Sequence, residues 1–252
     1  PRWFGSAEKN FLIPNQERFP QRHIPLLKKI HTVLCKSRHA EEIFSEHADT
    51  KFVGFTSEDR SSDGFDLDYQ SYFHLAGRST LKGTRTLLAV WKRHPEWPTL
   101  TIIQAKDNAP EASEIPANVN LITNYVTNEE LAKHVNTHGV HLCPSLSEGW
   151  GHYIVEAMSC KAVVVTTDAP PMNELVSPEH GILIPTFQSE PRHLGTNFYV
   201  DADALDTQLT ALIQADSATK QQLGERARTW FETNDQRFDE TLPAVIADLL
   251  KK

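Results

Sequence analysis

The chain has 252 residues, 39% of them hydrophobic, with five Trp and twelve Phe, which suits one large or two ordinary domains and argues against a disordered polymer. Its formal net charge is -8 and no basic block exceeds three residues, so the sequence argues against a nucleic-acid partner. No apolar run approaches the roughly eighteen residues of a membrane span, and the start at Pro1, Arg2, Trp3 and Phe4 lacks the apolar core of a signal peptide. Three cysteines, Cys35, Cys143 and Cys160, are an odd number set in apolar or helical patterns, which points to a reducing, cytoplasmic setting, with peripheral attachment at the inner membrane face left open. A first residue other than Met predicts a processed chain or a fragment whose beginning is missing.

In chain order, Thr32–Cys35 reads as a strand, 37–44 as a helix and 51–55 as a second strand, followed by a polar linker at 57–63. From there strands and helices alternate, the signature of a parallel sheet wrapped by helices. A strand at 72–76 runs into Gly77 and Arg78, then into a helix carrying Leu87, Leu88 and Trp91 on one face. Leu100–Gln104 and Val119–Ile122 are the next strands. Thr127 and Glu130 form a capping box that opens a helix continued by Leu131 and Val135. A strand at 140–143, a loop at 145–151, a helix at 152–160 and a β-branched strand at 162–166 follow. Beyond the prolines at 170 and 171 come a short helix at 173–176 and a strand at 182–184. Three apolar stripes end the chain: Leu205, Leu209, Leu212; then Leu223, Ala227, Trp230; then Phe238, Leu242, Ile246, Leu249.

In open α/β sheets, ligands sit outside the carboxyl ends of the strands where strand order reverses. That rule selects three loops: Gly77 with Arg78, residues 145–151, and Asp168 with Glu174. In the second, Glu148, Gly149 and Gly151 precede a helix that begins with His152 and Tyr153 and carries Glu156 one turn further in. Glycines there let a backbone approach closely, and the helix start offers unpaired amides and positive partial charge to a phosphate. The two acids border the same pocket and suit hydroxyl groups, while Arg78 and Lys82 offset a leaving diphosphate without a metal. His152 either faces the ligand or fills the first helical turn.

Glu148 and Glu156, with seven residues between them, match the E-x7-E motif of the retaining, family 4 type GT-B glycosyltransferases, also called glycosyltransferase group 1. Pro144 with Ser145, the run from Glu148 to Gly151, the run from Val155 to Met158, and Glu174 with Leu175 and Val176 resemble that family as well, over roughly residues 72–185. The resemblance implies an α/β fold, a Rossmann-like parallel sheet of the GT-B type, in which Glu156 binds the nucleotide ribose, Glu148 contacts the donor sugar, and Arg78 and Lys82 hold the diphosphate. Gly149, Gly151, His152 and Tyr153 border the donor, and Tyr125 and Val126 match the family's nucleobase-contacting stretch. The implied substrate is a UDP-, GDP- or ADP-sugar, transferred with retention and no essential metal to a glycan, lipid or protein acceptor. Because the chain is too short for two Rossmann-like domains, residues 1–70 are expected to be the end of an acceptor-side domain plus linker. Residues 71–235 are then the donor domain, and 236–252 a helix packing back toward the N-terminal part.

Other patterns point elsewhere and are weighed against blander roles. His134, His138 and His141 suggest zinc by spacing, but their elements diverge, so packed or exposed histidines are expected. Asp66 with Asp68 and Asp201 with Asp203 imitate a metal-binding Asp-x-Asp and are expected to be linker or helix-cap acids. A non-catalytic nucleotide-sugar-binding or interaction module and a GT-B-fold epimerase or phosphorylase are the competing readings.

Overall fold

The structure, a computed structural model, describes residues 4–251; Pro1, Arg2 and Trp3 at the start, and Lys252, lie outside the described residues. Near the N-terminus, β1 (Phe11–Leu12), β2 (Thr32–Cys35) and β3 (Thr50–Phe52) pair in parallel in that order. The helix α1 (Arg38–Ser45) starts at Ser37, whose side chain accepts from the Ala40 amide. Leu27, Val33, Cys35, Ala40 and Phe44 close a small core beneath it. The strand expected at 51–55 stops at Phe52, because Gly54 takes a φ of 70° and turns the chain.

The second and larger sheet holds β4 (Asp68–Gly77), β5 (Leu100–Gln104), β6 (Val119–Ile122), β7 (His138–Cys143), β8 (Val163–Thr167) and β9 (Gly181–Ile184). All six are parallel, in the order β6-β5-β4-β7-β8-β9. Strand order therefore reverses between β4 and β7, the switch point of a dinucleotide-fold sheet. Central strands of such a sheet are covered on both faces, which is why β5 and β8 are buried along their whole length.

One face is covered by α2 (Thr84–Trp91) and, from later in the chain, by α6 (Ala202–Gln214), through Leu87, Leu88, Trp91, Leu205, Leu209 and Leu212. On the other face lie α3 (Asn128–Thr137), α4 (His152–Ser159), α5 (Met172–Leu175) and α7 (Ser217–Lys251). The capping box forms as the sequence predicts: Thr127 Oγ1 accepts from the Glu130 amide at 3.2 Å, and the Thr127 amide donates to Glu130 Oε2 at 2.8 Å.

Two features differ from the sequence reading. A hairpin, β10 (Thr186–Arg192) and β11 (Gly195–Val200), occupies a stretch with no predicted element. β10 is exposed nearly throughout and contains Pro191, so it has no apolar face to alternate and leaves no strand signal. The two final stripes belong to one 35-residue helix, α7, which runs unbroken through residues 235 and 236. Its second half reaches the N-terminal part: Phe238 packs edge-on against Phe55 with ring centroids 5.3 Å apart, and Lys9 Nζ donates to the Leu249 carbonyl at 2.8 Å.

The segment expected to be a linker is held down rather than free. Arg228 of α7 donates to Asp59 at 2.8 Å and to the Ser159 carbonyl at 2.8 Å. Burial alone would raise the Asp59 carboxyl, but hydrogen bonds from Arg228 and Ser61 and the Arg228 charge bring it from 3.8 down to about 2. A depressed carboxyl contributes stability that is full above its unfolded value and is lost as pH falls through its folded value. Denaturant unfolding between pH 4 and pH 2 should therefore show a fall in stability that Arg228→Ala reduces, a modest effect because solvent screens the exposed side of the pair.

Candidate functional site

Both sides of the switch point are built from close backbone contacts. Gly83, at a φ of 77°, precedes α2, and a Cβ there would lie 2.2 Å from the Pro144 carbonyl oxygen. The Leu146 amide donates to the Leu81 carbonyl at 2.8 Å, so the loop after β4 and the loop after β7 are clipped together. Gly151, at a φ of 118°, then starts α4. A helix start with open amides thus stands beside Lys82.

Glu148 is the hub of this edge. Its Oε1 receives Lys82 Nζ and Ser145 Oγ, each at 2.5 Å. Ser145 Oγ in turn meets the Tyr153 hydroxyl at 2.5 Å, and the Lys82 ammonium lies 3.6 Å from the centre of the Tyr153 ring. Burial pushes the Tyr153 phenol well above its usual range, so it stays a proton-bearing group. Tyr153, expected beside the donor, stands behind Glu148 and braces it.

Glu156 sits one helical turn further along α4, with Arg60 of the held-down segment 3.8 Å away. Burial raises its carboxyl, and the Arg60 charge opposes that rise. His152 Nδ1 pairs with Ser57 Oγ at 2.9 Å, and its ring packs edge-on to Phe55. Partial burial, then the Lys36 charge, lower its pKa, which favours neutral imidazole.

A cavity of about 180 Å³ lies between this edge and the N-terminal part, with Lys82, Glu148 and His152 on one wall and Asn15, Glu17 and Lys36 on the other. Asn15 presses so closely on Gly149 that a Cβ there would be 2.4 Å from its side chain. Gln16 Nε2 donates to the Glu148 carbonyl at 2.9 Å. The N-terminal part therefore supplies one wall of this cavity. Glu17 and Arg60 give no sequence signal.

Not every expected residue gathers here. The Arg78 side chain is exposed and outside the lining of this cavity, while its carbonyl accepts from Asn108. Tyr125, after the edge strand β6, is 89% exposed, and Val126 packs inward beside Phe73 and Ile103. Glu174 does not reach this cavity: its carboxylate accepts from the Arg38 and His39 amides at 2.7 and 2.8 Å and caps α1. Phe73 packs against the rings of His134, His138 and His141, and burial lowers His141 to about 3. Among the described residues no group of three or more His, Cys, Asp or Glu side chains is arranged to hold a metal ion. Asp201 caps α6 through the Asp203 and Ala204 amides, and Asp68 accepts from the Gln70 amide.

A dinucleotide-type sheet with acid, lysine and helix start at its switch point, joined to a partial second sheet, is the α/β architecture of one half of a GT-B protein. The model of the glycosyl transferases group 1 family matches residues 104–230, and the chain belongs to that family. Among solved structures it is similar to the GtfA/B complex, with a TM-score of 0.73 and 14% identity over 99% of this chain and 55% of that one. Sucrose-phosphate synthase from Thermosynechococcus elongatus gives a TM-score of 0.69 and 19% identity over 91% of this chain and 61% of that chain. The pneumococcal O-GlcNAc transferase GtfA, solved with UDP and GlcNAc, gives 0.65 and 16% over 92% and 48%. The chain thus spans about half to three-fifths of the length of these structures. No curated protein sequence matches it significantly. Among the described residues no helix is long and apolar enough to cross a membrane.

Proposed function

We propose that this chain holds the donor site of a retaining glycosyltransferase and takes a nucleotide sugar at the switch point between β4 and β7. The observation that carries the reading is the partly buried Lys82–Glu148 pair set in front of the α4 amides. Such a pair is poised for exchange. When a diphosphate arrives, Lys82 turns to its oxygens and the Glu148 carboxylate is released to accept from sugar hydroxyls.

Charge then develops on the leaving diphosphate, and preorganised donors aimed at that charge lower the barrier. Lys82 and the first amides of α4 supply them, and exposed Arg78 swings in to complete the clamp. Glu156 accepts from the ribose hydroxyls in place of Arg60. Attack and departure on one face of the sugar would give retention, with the leaving phosphate taking the proton of the incoming hydroxyl. The solved complex of the pneumococcal O-GlcNAc transferase with UDP and GlcNAc supports a nucleoside diphosphate as the ligand class.

A thermal-shift panel of UDP, GDP, ADP and their sugars tests this. A ligand that binds only the folded chain stabilises it by about 2.7 kcal/mol at a hundred times its Kd. One diphosphate should raise the Tm, and Glu156→Ala should weaken that ligand by about ten-fold or more, the worth of hydrogen bonds to a charged group. No shift with any diphosphate or nucleotide sugar would reject the reading.

A further inference from the structure

The wall opposite Glu148 contains a carboxyl group that the rest of the protein leaves largely unanswered. Glu17 is 4% exposed, and its Oε2 has no hydrogen-bond partner. Arg18 Nε lies 3.7 Å from its Oε1, too far for a hydrogen bond. Beside it, Gln16 is 1% exposed and spends its amide nitrogen on the Glu148 carbonyl, while its Oε1 also lacks a partner. Lys36, whose charge also acts on Glu17, gives its hydrogen bond to Asn15 instead. Buried polar oxygens in folded proteins are almost always satisfied, so an unpaired one on a residue that lines the cavity, with a second beside it, calls for a partner from outside.

The backbone holds this carboxyl in place. Gly195 of β11 lies directly behind Glu17, where a Cβ would be 3.0 Å from the Glu17 Cα and 3.1 Å from its amide nitrogen. The hairpin that the sequence does not announce therefore backs the residue and keeps it facing the cavity. About 180 Å³ holds roughly six waters by their share of the liquid, the size of one sugar ring. The wall opposite already offers Glu148 and Lys82. Burial raises the Glu17 carboxyl against the pull of its own backbone amide; the Glu148 charge adds to the rise, and Lys36 and Arg18 oppose it, so Glu17 is adjusted by the site it faces.

We propose that Glu17 is a sugar-contacting residue, with its free carboxyl oxygen accepting a hydrogen bond from a ring hydroxyl of the transferred sugar, across the cavity from Glu148. This rests on the donor-site reading above and adds a second wall to it. The nucleoside diphosphate is held by Lys82 and α4, and the identity of the sugar is read between two acids on opposite walls of the cavity.

The test compares each bare diphosphate with its sugar. Titration calorimetry on the whole chain uses UDP with UDP-glucose and UDP-N-acetylglucosamine, GDP with GDP-mannose, and ADP with ADP-glucose. In the binding pair, Glu17→Gln and Glu17→Ala should weaken the nucleotide sugar about ten-fold or more and leave the bare diphosphate within about two-fold. Because the Glu17→Gln change removes a buried charge whose outer oxygen has no partner, the variant should melt no lower than the parent, an outcome that a purely structural role does not produce. Equal loss for diphosphate and sugar, or no loss for either, overturns the role of Glu17 and leaves the donor site standing. Absence of diphosphate binding to the parent chain removes both. Should Glu17→Gln fail to fold, Glu17→Asp provides the same comparison, with the carboxyl drawn back by one methylene.

Discussion

Replacing Lys82 with Ala is expected to lower sugar transfer by about two to three orders of magnitude, the usual cost of removing one preorganised charge from a developing anion. Bare diphosphate affinity should fall with it, by about ten-fold or more. The substitution also leaves Glu148 without its cation. Breaking a buried pair by removing one partner costs several kcal/mol at full burial, and about 2 kcal/mol is expected here, where both side chains keep a little exposure and Ser145 still donates to the carboxylate. Adding Glu148→Gln should recover most of that stability and none of the binding. Recovery of diphosphate affinity in the double variant would show that Lys82 acts only as a counter-ion.

Gly83→Ala, one residue away, is expected to fail by a different route. Its φ of 77° disfavours any side chain, and the added Cβ would meet the Pro144 carbonyl at 2.2 Å, a backbone atom that cannot turn aside. Strain and overpacking together should cost about 3 kcal/mol or more, which in a domain of this size lowers the Tm by roughly 6–12 °C. Because this contact sets the spacing between the loops after β4 and β7, the surviving folded protein should also bind diphosphate more weakly. An unchanged Tm by calorimetry would mean that the two loops are not clipped together as described.

These two residues show what the sequence discloses and what it withholds. Glycines before helices, a strand ahead of each, and two acids with seven residues between them are local features, so Lys82, Glu148, Gly151 and Glu156 could be picked out and their sheet edge inferred. Residues of β7 and β8 were equally legible because strands buried on both faces read as apolar runs. What depends on distant chain was not. Glu17 meets Glu148 across more than a hundred residues, and nothing in its neighbours marks it. Glu174 follows a strand as a ligand-binding acid would, yet two amides of α1, over a hundred residues earlier, claim its carboxylate. Arg60 lies in a polar stretch whose composition reads as linker until Arg228, Ser159 and Glu156 hold it. The hairpin of β10 and β11 left no pattern because most of its first strand faces water.

The most direct test of the donor site is a crystal structure of the chain with the nucleoside diphosphate selected by thermal shift. The diphosphate should lie before the first amides of α4 within hydrogen-bonding reach of Lys82, with Arg78 turned toward it and the ribose on Glu156 where Arg60 now sits. A diphosphate bound away from β4 and β7, with Lys82 still paired to Glu148, would contradict the account.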